Sequence, residues 1–422
     1  LYKFCLTLPL KIIIRTMKKL LKVAVILCVF VVWLWFNSEV HVENKVQSNP
    51  VILWWTDGFP GTEETRHCSD NIKCSIFSNH SILEEHNVDA YLFYASNINF
   101  NNLPLPRNPK KVIWGLYHEE SPRNVAELSH EETLSLFNYS TTFSRHSNVP
   151  FPLQYLDSIN DITSTKYFVR TDIKNSFEDL SPIMYLQTDC ETATERDAYV
   201  KELMNYIKID SYGECLKNKE MPVKFQEDYL NHLNDDDFLH FIARYKFVLA
   251  IENGVCDDYI TEKFWRAIKV GTVPIYFGSQ TIRDWLPNNR SAILLEDYPT
   301  PKAMSEYIKK LLNDDNLYEK HLEHKTKQLL TNTRLLSELE IRSYQIDALR
   351  VVEKFECFIC EKLNDLKSGV LKESFINKYH YNCPQPISAL TLQVNPYNGW
   401  VFSWKTAKKT AKEIQKRIMG AK

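Results

Sequence analysis

Between Ile183 and Leu312 short apolar runs alternate with stretches of helical spacing, and a chain patterned in this way has few folds open to it. The apolar runs are Ile183–Gln187, Ile207–Tyr212, Lys246–Ile251, Thr272–Phe277 and Ala292–Leu295. Helical stretches intervene at Thr194–Ile207, where Tyr199, Leu203 and Ile207 recur at i, i+4 and i+8, and near Thr261–Ile268. A short helix to Leu286 and another from Lys302 to Leu312 complete the series. Strand after helix after strand predicts an α/β fold, a parallel sheet with helices on both faces. Ligands of such sheets sit outside the carboxyl ends of the strands. A first unit of the same kind is expected over residues 51–165, opening on the buried run that starts at Val51 and continuing at Tyr91–Ala95 and Val112–Tyr117. Residues 315–363 read as mostly helical, and the tail after about 385 has weak periodicity.

What precedes Val51 differs. Leu20 to Phe36 is an apolar run with Lys11, Arg15, Lys18 and Lys19 before it and Asn37, Ser38 and Glu39 after it. As a helix it reaches about 25 Å, at the short end for a bilayer. The basic flank places the N-terminus in the cytosol. The expected order is therefore a cytosolic tail at 1–19, a signal-anchor helix at 20–36 and a stem at 37–50. The rival is a cleaved signal peptide, but the run exits through Trp-Leu-Trp-Phe and not through small residues. A lumenal body in the endoplasmic reticulum or Golgi follows. Sequons at Asn79, Asn138 and Asn289 agree with it, as do the eight cysteines beyond the apolar run. The net charge of −2 carries no footprint of a nucleic-acid binder. With only 10 glycines, neither a dinucleotide nor a P-loop fingerprint can be written, so any nucleotide is held without a Gly-rich cradle.

The segment from Ala250 to Trp265 is the richest in chemistry. A strand ends at Ile251, a polar loop follows, and a helix begins at Thr261, a good N-cap residue. Its free amides would face whatever lies above the sheet, a natural place for phosphate. Lys263 adds a positive charge, and Glu262 can accept hydrogen bonds from ribose hydroxyls. Spacing alone equally describes an ordinary capped helix with a Glu–Lys pair. Asp235-Asp-Asp237 invites a metal reading, yet Phe238, Phe241 and Ile242 follow at helical spacing, and the acids suit a helix N-terminus.

The run Glu252-Asn253 … Asp258-Tyr-Ile-Thr-Glu-Lys-Phe-Trp265 … Gly271-Thr-Val-Pro274 … Gly278 resembles the hallmark of the α1,3-fucosyltransferases, glycosyltransferase family 10. Tyr185–Cys190, Ile209–Cys215 and Gly115–Pro122 resemble further blocks of that family, with Gln187-Thr188 standing where the family has Ser-Asn. The resemblance implies two Rossmann-like domains, the B-type glycosyltransferase fold, with the acceptor and base in 51–165, GDP-fucose in 180–345, and a C-terminal helix, CxxC motif and tail in 346–422. It implies donor contacts from Arg196, Asn253, Tyr259, Glu262 and Lys263. Glu120 matches the catalytic base, although Glu119 stands beside it and His118 before it. Arg145 matches a family arginine less securely.

The family's CxxC cysteines are disulfide-bonded to early lumenal ones, which makes Cys68 and Cys74 candidate partners for Cys357 and Cys360. Cys190 and Cys215 end neighbouring strands and are a further candidate pair. Zinc or redox roles for the CxxC motif lack the other ligands or the right setting.

The implied reaction is an inverting displacement with GDP-fucose as donor substrate and no metal or other cofactor. The chain looks closest to a divergent vertebrate branch linked to O-fucosylation of Ser/Thr in cysteine-rich EMI modules. N-acetylglucosamine of N-glycans is the alternative acceptor, and a non-catalytic lumenal GDP-fucose-binding or glycan-binding protein is the alternative of another class.

Overall fold

The structure, a computed structural model, describes residues 49–420 apart from 59–62, 70–71, 227–228 and 371–373. The expected cytosolic tail, the 20–36 segment and most of the stem lie outside the described residues. No helix among the described residues is long and apolar enough to cross a membrane.

Two sheets organise the chain. The first orders its strands β2-β3-β1-β4-β5-β6. They are β1 (Val51–Trp54), β2 (Glu64–His67), β3 (Lys73–Phe77), β4 (Ala90–Tyr94), β5 (Ile113–His118) and β6 (Tyr139–Thr142). All neighbours run parallel except β2 against β3 at the edge. The second sheet is parallel throughout, in the order β11-β10-β9-β7-β8. Its strands are β7 (Ile183–Gln187), β8 (Ile209–Gly213), β9 (Phe247–Ile251), β10 (Val273–Phe277) and β11 (Ile293–Leu294). Every residue of β1, β5 and β10 is buried. Strands covered on both faces have no reason to alternate apolar with polar, so they read as continuous apolar runs.

Helices of eight residues or more are numbered α1 (Arg196–Leu203), α2 (Asp236–Ala243), α3 (Glu262–Val270), α4 (Pro301–Leu312), α5 (Thr333–Ile341), α6 (Ala348–Lys367) and α7 (Gly399–Gly420). The Asp235–Asp237 run caps and opens α2, its acids at the positive end of the helix. Although α6 follows the second sheet in sequence, it returns to the first. It buries Val351, Val352, Phe355, Ile359 and Leu363 among Ile52, Ile76, Leu92 and Tyr117. Gly115 in β5 makes this approach possible, because a Cβ there would lie 2.7 Å from Leu92 and 2.9 Å from Phe355. Disulfides Cys68–Cys357 and Cys74–Cys360 fasten the helix in place. Glu356 of the same helix accepts hydrogen bonds from Trp54 and Arg66.

The structure corrects the reading of the C-terminal tail. Residues after 385 are a strap followed by a 22-residue helix, α7, which buries Ala407, Ala411, Ile414 and Ile418. Those residues lie at i, i+4, i+7 and i+11, but two are alanines among lysines and threonines, so the apolar stripe is faint in the sequence. The helix packs on the first-sheet side, against residues 126–129 and Glu131–Leu134. Just before the strap lies Cys383, bonded to Cys256 in the loop after β9, a pairing not expected from the sequence. Cys190 and Cys215 pair as expected. All eight described cysteines are thus disulfide-bonded, and the CxxC sulfurs serve neither zinc nor redox exchange.

A second correction concerns glycosylation. Asn138 is only 4% exposed. Its side-chain carbonyl accepts from Arg107 and the Trp114 amide, and its NH2 donates to the Ser374 carbonyl. A folded chain leaves no room for a glycan there. Asn79 and Asn289 are exposed.

Candidate active site

The site forms where strand ends from both sheets converge. Strand β5 runs straight into Glu119, Glu120 and Ser121; β9 runs into Glu252 and Asn253; β7 runs into Gln187 and Thr188. These are the carboxyl ends of parallel strands, where ligands of such sheets bind.

Two hydrogen bonds link the loop after β5 to the loop after β9. The Tyr259 hydroxyl donates to Glu120 Oε2 at 2.7 Å, and the Ser121 hydroxyl donates to Asn253 Oδ1 at 3.3 Å. Burial, and next the charge of Glu120, raises the Tyr259 pKa, so the phenol remains a donor. Glu119 turns the other way: its Oε1 accepts the Tyr94 hydroxyl at 2.6 Å inside the first sheet's own region. Burial pushes the Glu119 pKa up, and its Oε2 has no partner. The two side chains thus go to different partners, and Glu120 is the one aimed across the cleft. His118, buried against Tyr381 at 2.9 Å, is held neutral; burial lowers its pKa to about 3.

Behind Tyr259, Arg145 and Asp258 form a buried pair. Arg145 donates from its amide and from Nε to Asp258 Oδ2, each at 2.9 Å. Thr281 and Trp285 donate to Asp258 Oδ1 at 2.7 and 2.9 Å. Burial alone would raise the Asp258 pKa, but Arg145 outweighs it and holds the carboxylate low. Asp258 has φ of +62°, a left-handed conformation unusual outside glycine, so this clamp fixes a strained turn beside Tyr259. Arg145 therefore supports the site without lining its cavity.

Arg196, Asn253, Glu262 and Lys263, with Gln187 and Thr188, line one cavity of about 180 Å3. Lys263 Nζ lies 3.1 Å from Glu262 and 3.7 Å from Glu252. Burial opposes charge on Glu262, yet Lys263 and Arg266 outweigh it and bring its pKa down to about 2. Arg196 is 1% exposed and gives its guanidinium to the carbonyls of Ile251 and Asp189, leaving Nε without a partner. A larger cavity, about 770 Å3, lies between the Cys190–Cys215 disulfide and the start of α7 and holds none of the catalytic or donor-binding candidates.

The start of α3 departs from expectation. Thr261 is the N-cap, accepting from the Lys263 amide at 3.4 Å. Glu252, fully buried, accepts from the Thr261 amide at 2.8 Å and from the Thr261 hydroxyl at 2.7 Å. The helix start is thus capped from within, and of the amides of residues 261–263 only that of Glu262 is left for a ligand. Glu252 is one functional residue the sequence reading did not single out. Burial raises its pKa to about 7. An acid directly ahead of a loop and a capping threonine is the signal that could have found it.

Two family models match: the N-terminal fucosyltransferase model over residues 47–154, and the C-terminal model of glycosyltransferase family 10 (fucosyltransferase) over residues 180–379. With the fold and the site, they define a glycosyltransferase. A human protein named GDP-fucose protein O-fucosyltransferase 3 is 39% identical over 386 residues, covering 88% of this chain and 80% of its own. A Drosophila melanogaster protein named alpha-(1,3)-fucosyltransferase B is 39% identical over 388 residues, 89% of this chain and 85% of its own. A crystal structure of an α1,3-fucosyltransferase with GDP-fucose aligns with 64% of this chain and 81% of its own at 17% identity, with a TM-score of 0.39, too loose to transfer any residue. The chain belongs to glycosyltransferase family 10, the fucosyltransferases.

Proposed function

We propose that the protein transfers fucose from GDP-fucose to a Ser or Thr hydroxyl of a cysteine-rich, EMI-type module in secretory proteins. The observation that carries the reading is the Tyr259–Glu120 contact of 2.7 Å, which sets a carboxylate of one sheet against the loop of the other. In this reading the donor lies in the cavity of Arg196, Asn253, Glu262 and Lys263, with its ribose hydroxyls on Glu262 and its diphosphate near Lys263 and Arg196. Tyr259 and Asn253 orient the sugar.

Glu120 accepts the proton of the acceptor hydroxyl. The acceptor oxygen forms a bond to the anomeric carbon as the bond to the diphosphate breaks, with inversion, and GDP leaves with the electron pair. Negative charge grows on the leaving oxygen, where Lys263 stabilises it. Loss of one such contact commonly costs about 10²–10³ in rate. No step in this scheme uses a metal ion. The two sheets act as the halves of a B-type glycosyltransferase, one presenting acceptor and base, the other the nucleotide.

A protein acceptor is favoured because relatives 39% identical over most of their length carry the name protein O-fucosyltransferase. The fly relative carries the name alpha-(1,3)-fucosyltransferase B, and N-acetylglucosamine of N-glycans is the second acceptor reading. The apolar segment at 20–36 is read as the signal anchor of a single-pass protein of the endoplasmic reticulum or Golgi with a lumenal catalytic part.

Folded EMI modules and N-glycan acceptors, offered in parallel with labelled GDP-fucose, test the reading. Label on the module, released by β-elimination, is the expected result. Label on the glycan alone would replace the acceptor. GDP-fucose bound with neither acceptor labelled would favour a binding protein.

A further inference from the structure

Helix α3 carries three cations on or near the face that looks into the cleft, and two of them are paired. Lys263 lies against Glu262 and Glu252, and Lys269 lies 3.1 Å from Asp161. Arg266 is different. Among the described residues it has no ion pair and no hydrogen bond, and its Nε is buried without a partner. A buried donor left without an acceptor is costly to keep, because it has lost its water and gained nothing. Arginine cannot escape the cost by releasing its proton at ordinary pH. Such a group is arranged for a ligand the chain itself does not supply.

The position of Arg266 indicates which part of the ligand it meets. It stands four residues beyond Glu262, on the same face of the helix. It lines the cavity that holds Glu262 and Lys263 and also the adjoining cleft of about 540 Å3 beside Tyr155. Glu262 acts on both cations, and Lys263 also feels Glu252 and Arg196. Glu262 therefore stands between a phosphate-side pair, Lys263 and Arg196, and the unpaired Arg266. A nucleoside diphosphate laid with its phosphates on that pair and its ribose on Glu262 extends its base toward Arg266.

We propose that Arg266 reads the nucleobase of the donor, its guanidinium donating to O6 and N7 of guanine. This rests on the assignment of the Glu262–Lys263 cavity to the donor nucleotide. Guanine presents two acceptors side by side, which match the planar fork of arginine. Adenine replaces one of them with a donor, and pyrimidines have no N7. One such bidentate pair discriminates by about 1–3 kcal/mol, or roughly 5- to 150-fold.

Titration calorimetry on the full chain, with GDP, 7-deaza-GDP and ADP as probes, tests it. The wild type is expected to bind GDP at least about 5-fold more tightly than 7-deaza-GDP, which lacks only N7. Arg266→Ala is expected to weaken GDP roughly 5- to 150-fold while changing 7-deaza-GDP much less, so that the two converge. Arg266→Lys keeps the charge without the fork and should restore some affinity but not the preference. Equal wild-type affinities for GDP and 7-deaza-GDP would overturn base reading without any variant. Equal weakening of both probes in Arg266→Ala would do the same and would move the residue to phosphate or ribose. Wild-type protein that binds no GDP would overturn the donor assignment, and this proposal with it. Normal GDP binding unaffected by Arg266→Ala would overturn the proposal alone.

Discussion

Replacing Arg145 with Met tests how the two sheets are held in register at the site. The Asp258 side chain is 0% exposed, and Arg145 is 12% exposed. Arg145 also reaches Asp284 at 2.7 Å and lies 4.8 Å from the centre of the Trp285 ring. Methionine keeps much of the apolar stem but removes the cation, so the Asp258 carboxylate stays buried with only Thr281, Trp285 and its neighbouring amides as donors. Breaking one side of a buried pair costs about 3–5 kcal/mol. Asp258→Asn should cost less than that, because Asp284 still compensates Arg145. In the double variant neither charge is stranded, and its loss should fall short of the summed single losses by about 0.5–3 kcal/mol.

Denaturant midpoints of the four proteins give these values. Asp258 has a folded pKa below its ordinary 3.8, so its contribution is full above pH 4 and is lost as pH falls through the lower folded value. Activity should fall with stability, since the clamped turn carries Tyr259 toward Glu120. A single variant within about 0.5 kcal/mol of wild type, or strictly additive losses, would show that the pair does not hold this turn.

Two other outcomes follow from the geometry. Glu252 favours the protonated form in the folded state, with a pKa of about 7 against an ordinary 4.5. Its contribution is complete below pH 4.5 and is lost as pH rises toward and past 7, so the midpoint gap between wild type and Glu252→Gln should change across pH 5–8; a constant gap would contradict the assignment. Glycopeptide mass spectrometry of secretory-pathway protein should find glycan at Asn79 and Asn289 and none at Asn138; an occupied Asn138 would mean that the segment is glycosylated before it buries.

The loop between β9 and α3 was legible because its signals are local. A buried strand end, a polar loop and a capping threonine all fall within sixteen residues, and the strand and the cap appear in the structure as expected. Glu120 was legible only through its motif, and what separates it from Glu119 is the position of Tyr259, 139 residues away. Long-range partners explain the other misses as well. Cys256 and Cys383 are separated by 127 residues, and nothing near either one announces the other. Asn138 satisfies the local sequon rule, but strand β5 and the 374 carbonyl bury it. Arg266 drew no reading from the sequence; the buried Nε without a partner is visible only when the neighbouring elements are in place.

The central claim is that Glu120 is the base of a fucosyl transfer. The direct measurement is transfer from GDP-fucose by wild type, Glu120→Gln and Glu119→Gln, with GDP-fucose affinity measured on the same samples. Glu120→Gln is expected to lose about 10²–10⁴ in kcat while still binding the donor, and Glu119→Gln to retain most of its rate. Undiminished transfer by Glu120→Gln, or loss confined to Glu119→Gln, would contradict it.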